Sequence, residues 1–192
     1  MPADPSTADS DAAPWVREVL DFWFREVGGE ELWFATSGEL DERIRRRFLA
    51  LHEQIISTDA HGLAGPRALL AAIVVLDQFS RNMFRGTPRA FAADPLARRL
   101  AQQAIACGFD VAMIPEERCF LYMPFQHSEE RADQALSVRL FEQLGNERWS
   151  EFARAHRQLV DRFGRFPHRN AILGRVSTAE ELEYLKGPMS SF

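Results

Sequence analysis

The nine residues from Ala68 to Leu76 are all apolar. A membrane-spanning helix needs roughly 20 such residues, so the run is too short to cross a bilayer. At helical spacing it is apolar on every side, which a surface helix is not. Pro66 suits a first helical turn. The segment therefore reads as a buried central helix running to about Phe84. A helix of this kind requires other elements to cover it.

Those elements are legible as apolar stripes. Trp15, Val19, Phe22 and Trp23 recur at helical spacing after Pro14, and Gly28-Gly29 stops the pattern beyond Val27. Ser37 is placed to cap a helix in which Leu40, Ile44, Phe48, Leu51 and Ile55 form one face. Arg43, Arg45, Arg46 and Arg47 lie on its outer face. Asp94-Pro95 opens a helix that ends at Gly108. Pro115 opens a short one that Pro124 ends. Ser128, followed by Glu129 and Glu130, caps a helix to Gly145, and Asn146 caps the next to Gly164. The stretch Phe166 to Arg175 reads as irregular. Ser177 with Glu180 forms a capping box for a last helix, closed by Gly187-Pro188. No segment alternates with the period of a strand. The expected fold is all-α, with about eight helices in antiparallel hairpins and no sheet. No strict 34-residue repeat is present.

Residues 1–13 lack the apolar core of a secretory signal and read as a disordered lead-in to one domain spanning 14–192. Cys107 and Cys119 have no metal or redox spacing. They read as reduced, buried thiols of a cytoplasmic protein. Acids outnumber bases 28 to 23, for a net charge of -5 and a pI near 5.6. That balance argues against a nucleic-acid binder, and nothing in the chain suggests a membrane partner. Lys186 is the only lysine among the 23 basic side chains, so local arginine patches remain open.

Polar residues stand out where they interrupt apolar patterns. Asp77, Gln78, Arg81, Asn82 and Arg85 occupy one side of the central helix over its last two turns. Asp77 can pair with Arg81 and Gln78 with Asn82. Arg165, His168, Arg169 and Asn170 crowd a short Gly- and Pro-containing stretch, and arginine forks suit carboxylate or phosphate. His156 falls in the middle of an apolar helix face made by Trp149, Phe152, Ala153, Leu159, Val160 and Phe163. His127 follows Pro124, with Glu130 three residues on. His127, Glu130, His156 and His168 have no metal-ligand spacing, so neither a metal nor a cofactor is expected. His52 and His61 read as surface residues. There is no GxSxG elbow, P-loop or Gly-rich dinucleotide turn.

Four blocks carry a resemblance: Val19 to Phe24, Leu76 to Gly86, Phe120 to Glu129 and Phe163 to Asn170. They resemble the bacterial family catalogued as domain of unknown function 924. The resemblance implies a fold similar to tetratricopeptide repeats, a right-handed superhelix of helical hairpins, and implies no activity. Its blocks coincide with the polar wedge, the His127 turn and the arginine stretch, so these segments are expected to meet at one site.

The first functional reading is a binding protein for a small anionic molecule or an acidic peptide. Arg81, Arg85, Arg165 and Arg169 would clamp the anion. Asp77, Gln78, Asn82, Tyr122, His127, His168 and Asn170 would complete the pocket. The second is a hydrolase or transferase for an anionic substrate, with His127 or His156 as base and Glu130 or Asp77 as its orienter. The third is a structural interaction module whose polar wedge only specifies the fold. Self-association is left open by all three.

Overall fold

The computed structural model describes residues 13–187. The lead-in over 1–12 and the closing Pro188 lie outside the described residues. The fold is all-helical, with no strand among the described residues. Helix α1 (Pro14–Asp21) runs on into a π-helical turn, Phe22–Val27, and is followed by a short α2 (Glu30–Trp33) and the long α3 (Gly38–Ser57). Helix α4 (Pro66–Ile73) continues through a second π segment, Val74–Phe79, into α5 (Ser80–Met83). Then come α6 (Arg89–Ala92), α7 (Asp94–Ala106), α8 (Pro115–Gln126), α9 (Arg131–Glu142) and α10 (Glu147–Phe163). A 3-10 turn at Pro167–Arg169 and α11 (Ala179–Tyr184) complete the order.

The caps follow side-chain chemistry. Ser37 Oγ accepts the Leu40 N–H at 3.3 Å and Asn146 Oδ1 accepts the Trp149 N–H at 3.2 Å. Gly164, at φ 72°, takes the left-handed conformation that ends α10. The capping box of α11 is formed one residue later than expected, by Thr178 and Glu181. Ser177 is engaged elsewhere, accepting from Asn170 Nδ2 at 3.0 Å. Pro124 does not end α8. Proline removes its own N–H and crowds the carbonyl one turn back, yet the helix continues past it, and the His127 N–H reaches the Met123 carbonyl at 2.9 Å.

Leu69 through Leu76 have no solvent exposure, as the central-helix reading requires. Helix α4 packs against α1, α7 and α8, while the π segment that follows packs against α3, α7 and α8. Helices α8, α9 and α10 pack in succession. Aromatic rings fill the junction: Phe79 lies 4.8 Å from Phe48, 5.5 Å from Trp23 and 5.8 Å from Phe22, centroid to centroid. No helix among the described residues is long and apolar enough to cross a membrane.

Two surface and core assignments are corrected. His52 is buried, with Nε2 at 2.7 Å from Ser80 Oγ. It extends the stripe of Leu40, Ile44 and Phe48 by one more step of four, so its position already placed it on the inner face. Cys107 is exposed because it sits at the end of α7, one turn past the last buried alanine, Ala104. Cys119 is buried, and both thiols are free.

Phe79 joins three helical segments, so Phe79→Ala is expected to lower the unfolding free energy by about 3–5 kcal/mol in urea titration.

Candidate functional site

The π segment delivers Asp77 and Gln78 to the interior. Turns of this kind often mark functional positions in helices. Asp77 is fully buried and is held by three neighbours. His127 Nδ1 lies 2.8 Å from its Oδ1, Arg81 Nη1 lies 3.2 Å from the same oxygen, and Gln78 Nε2 donates to Oδ2 at 2.5 Å. Burial alone would raise the Asp77 pKa. Arg81 and His127 outweigh it and hold the carboxyl well below the usual range. Burial, reinforced by Arg81, pushes His127 down. The imidazole is therefore neutral at pH 7, donates through Nδ1 to Asp77 and keeps the Nε2 lone pair. No described residue hydrogen-bonds that Nε2. The pairing expected between Gln78 and Asn82 does not form. Asn82 instead donates to Asp41 at 2.8 Å.

Arg81 is saturated. It grips both oxygens of Asp94, at 2.9 and 3.0 Å, and donates to the Asp77 carbonyl at 2.7 Å. Arg169 is not. Its one acceptor is Asp94 Oδ2 at 3.5 Å, and its buried Nε has no partner. The Arg169 guanidinium lies 4.6 Å from both the Phe91 and the Phe166 ring centroids. Burial, with repulsion from Arg81, pulls its pKa down to about 10, still a cation at neutral pH. The loop carrying it is fixed by Glu129, which accepts the Phe166 N–H at 2.7 Å and both Arg175 nitrogens at 2.7 and 2.9 Å.

These groups open onto a cavity of about 510 Å³. Gln78, Arg81, Asn82, Arg85, His127, His156, His168 and Arg169 form its polar side, and Trp33, Phe34, Phe91, Phe141, Trp149 and Phe152 its aromatic side. Two more buried polar atoms on the wall have no partner, Trp149 Nε1 and Gln126 Oε1. Such atoms also occur away from the cavity, among them Trp23 Nε1, Gln134 Oε1 and Arg175 Nε; three stand on this one wall. A second cavity of about 310 Å³ shares Phe91, His127 and Arg169 with the first, and also includes Glu129 and Glu130.

Arg81, His127 and Arg169, far apart in sequence, thus line one space. Four expected pocket residues do not: Asp77 lies fully buried behind His127 and Arg81, and Tyr122, Arg165 and Asn170 are engaged elsewhere. Tyr122 is buried away from it and donates to Asp110 at 2.5 Å, because α8 turns that face toward the end of α7. Arg165 is taken bidentately by Glu181, at 2.7 and 2.8 Å. Asn170 is buried against Ser177. Arg85 reaches the cavity but is already gripped by Asp41, at 2.8 and 2.9 Å. Glu130 faces the second cavity, and Asp77 rather than Glu130 orients His127. His156 is fixed through Nδ1 on the Phe152 carbonyl at 2.8 Å. Cys119 faces the cavity too, but burial pushes its thiol up, so it is no thiolate at neutral pH. Among the described residues no group of three or more His, Cys, Asp or Glu is placed to hold a metal ion.

Sequence reasoning missed Asp94, Phe91, Gln126 and Trp149. Asp94 reads as a helix cap and Trp149 as ordinary core. Gln126 gave one signal, a polar residue within the apolar run of α8.

The family model described as bacterial protein of unknown function (DUF924) matches residues 19–189. The chain belongs to this family. The solved structure of the protein of unknown function ATU0120 from Agrobacterium tumefaciens is 41% identical, with a TM-score of 0.86, and the match covers 92% of this chain and 100% of that one. No curated protein matches the chain.

Buried histidines give this DUF924 chain a calculable acid response. Burial lowers His156 to about 3 and His52 to about 4, from 6.5 in the open chain. The unfolded state therefore takes up protons first as the pH falls. Stability is full above about pH 6.5 and is lost on acidification toward the folded values, at about 1.4 kcal/mol per pH unit for each histidine. Urea unfolding at pH 6.5, 5.5 and 4.5 should show this slope, and His156→Gln should reduce it by one histidine's share.

Proposed function

We propose that the protein binds a small anionic ligand, or the acidic end of a peptide, in the larger cavity. The observation that carries the reading is Arg169: a buried side chain of the cavity lining with a single 3.5 Å acceptor and a partnerless Nε. Burying a cation without full pairing is costly. An anion seated against it would complete its hydrogen bonds. Arg81 backs the site through Asp94, and His127 and Trp149 supply further polar atoms. In this reading the scaffold is a tetratricopeptide-like superhelix, working in the cytoplasm. A purely structural role for the polar wedge fits less well, because a cavity of about 510 Å³ is within the range of small-molecule sites.

A second reading draws on the Asp77–His127 pair. A carboxylate that orients a neutral imidazole, leaving Nε2 on a cavity, is the arrangement of a general base. It supports a hydrolase or transferase acting on an anionic substrate in the same space. His156, lowered to about 3, is a weak base by comparison.

A thermal-shift screen with small carboxylates, phosphate and sulfate tests the binding reading. At about 100 times the dissociation constant, a ligand should raise the wild-type melting temperature by about 5–10 °C. Arg169→Gln should abolish the shift. Equal stabilisation of both proteins would remove Arg169 from the site.

A further inference from the structure

We propose that the ligand of the larger cavity is a monocarboxylate carrying an apolar chain or ring. The inference rests on the anion-binding reading above and specifies its ligand.

The first argument is the edge of Arg169 left open. Arg85 grips Asp41 through Nε and Nη2, at 2.8 and 2.9 Å. Arg165 grips Glu181 through the same two nitrogens, at 2.7 and 2.8 Å. This edge of a guanidinium matches the two oxygens of a carboxylate. Arg169 uses Nη1 for Asp94, and its Nε and Nη2 have no acceptor among the described residues. Its Cζ lies over both the Phe91 and the Phe166 rings. Arg169, a residue of the cavity lining, thus leaves unfilled the half of a carboxylate clamp that the protein completes internally elsewhere.

The second argument is charge. Around the clamp, Arg81 and Arg169 are balanced by Asp77 and Asp94, and His127 is neutral. The neighbouring charges are already paired: Arg85 with Asp41, Arg148 with Glu30, Arg175 with Glu129. One added negative charge meets the open edge of Arg169. A second would face two carboxylates, one fully buried, and the other cations on the wall, Arg85 and Arg148, are exposed and each already paired with a carboxylate. This favours a singly charged carboxylate over a dianionic phosphate.

The third argument is the rest of the wall. Trp33, Phe34, Phe141, Trp149 and Phe152 offer rings; the Trp33 indole N–H is spent on the Trp23 carbonyl, and Trp149 Nε1 is the one unpaired donor among them. Phe34 and Phe152 are 47% and 38% exposed. An apolar body laid along them would remove that surface from water.

Calorimetric titration of the whole chain with acetate, butyrate, hexanoate, phenylacetate, hexanamide and inorganic phosphate tests the proposal. Affinity should rise about three- to fourfold per methylene, so hexanoate should exceed acetate by on the order of a hundredfold. Phenylacetate should also exceed acetate, and hexanamide should bind at least about tenfold more weakly than hexanoate. Equal affinity for acetate, hexanoate and phosphate would overturn the proposal and leave the anion reading standing. Hexanamide binding as well as hexanoate would overturn both, as would no binding by any probe.

Discussion

A carboxylate cut off from water stays ionised only if its surroundings replace the lost hydration. Asp77 meets that demand with Arg81, His127 and Gln78. The requirement propagates outward. Arg81 must reach Asp77 from one turn further on, so the wedge has to be helical there. It must also be balanced by Asp94, which fixes the start of α7 against the end of α5. His127 must arrive from the end of α8. The position of three elements is thus set by one buried charge, and the cavity is the space they leave between them.

The fold was legible where periodicity and caps agree. The all-sided apolar run identified the central helix because nothing but burial accounts for it. Within it, the polar wedge announced itself by contrast, and all five of its residues engage each other, Asp41 or Asp94 within hydrogen-bond reach. Boundaries were less secure. Thr178 displaces Ser177 as a cap because a tertiary partner, Asn170, claims Ser177, and no local rule anticipates that. Pro124 sits inside α8 because the hydrogen bonds behind it can still close.

The site was half legible for a related reason. An arginine in sequence shows a cation but not its acceptor. Arg165 and Arg169 lie four residues apart and look alike. Glu181, sixteen residues on, saturates the first. The second is left with a shared oxygen of Asp94, 75 residues away. Trp149 and Gln126 were invisible because an indole or amide on an apolar face is ordinary until its polar atom is seen to lack a partner. The arginine-rich composition mostly resolves into ion pairs of this kind, and it is the incomplete one that matters.

The packing of Arg169 against Phe91 and Phe166 has a thermodynamic meaning beyond charge. A long flexible side chain normally surrenders its rotamer freedom when a ligand arrives, and that loss weakens association. Here the two rings impose the loss when the chain folds. The guanidinium is held against both rings in advance, so a ligand meets a side chain already placed. Affinity at such a site depends on shape and desolvation more than on induced order, which favours discrimination among anions by geometry.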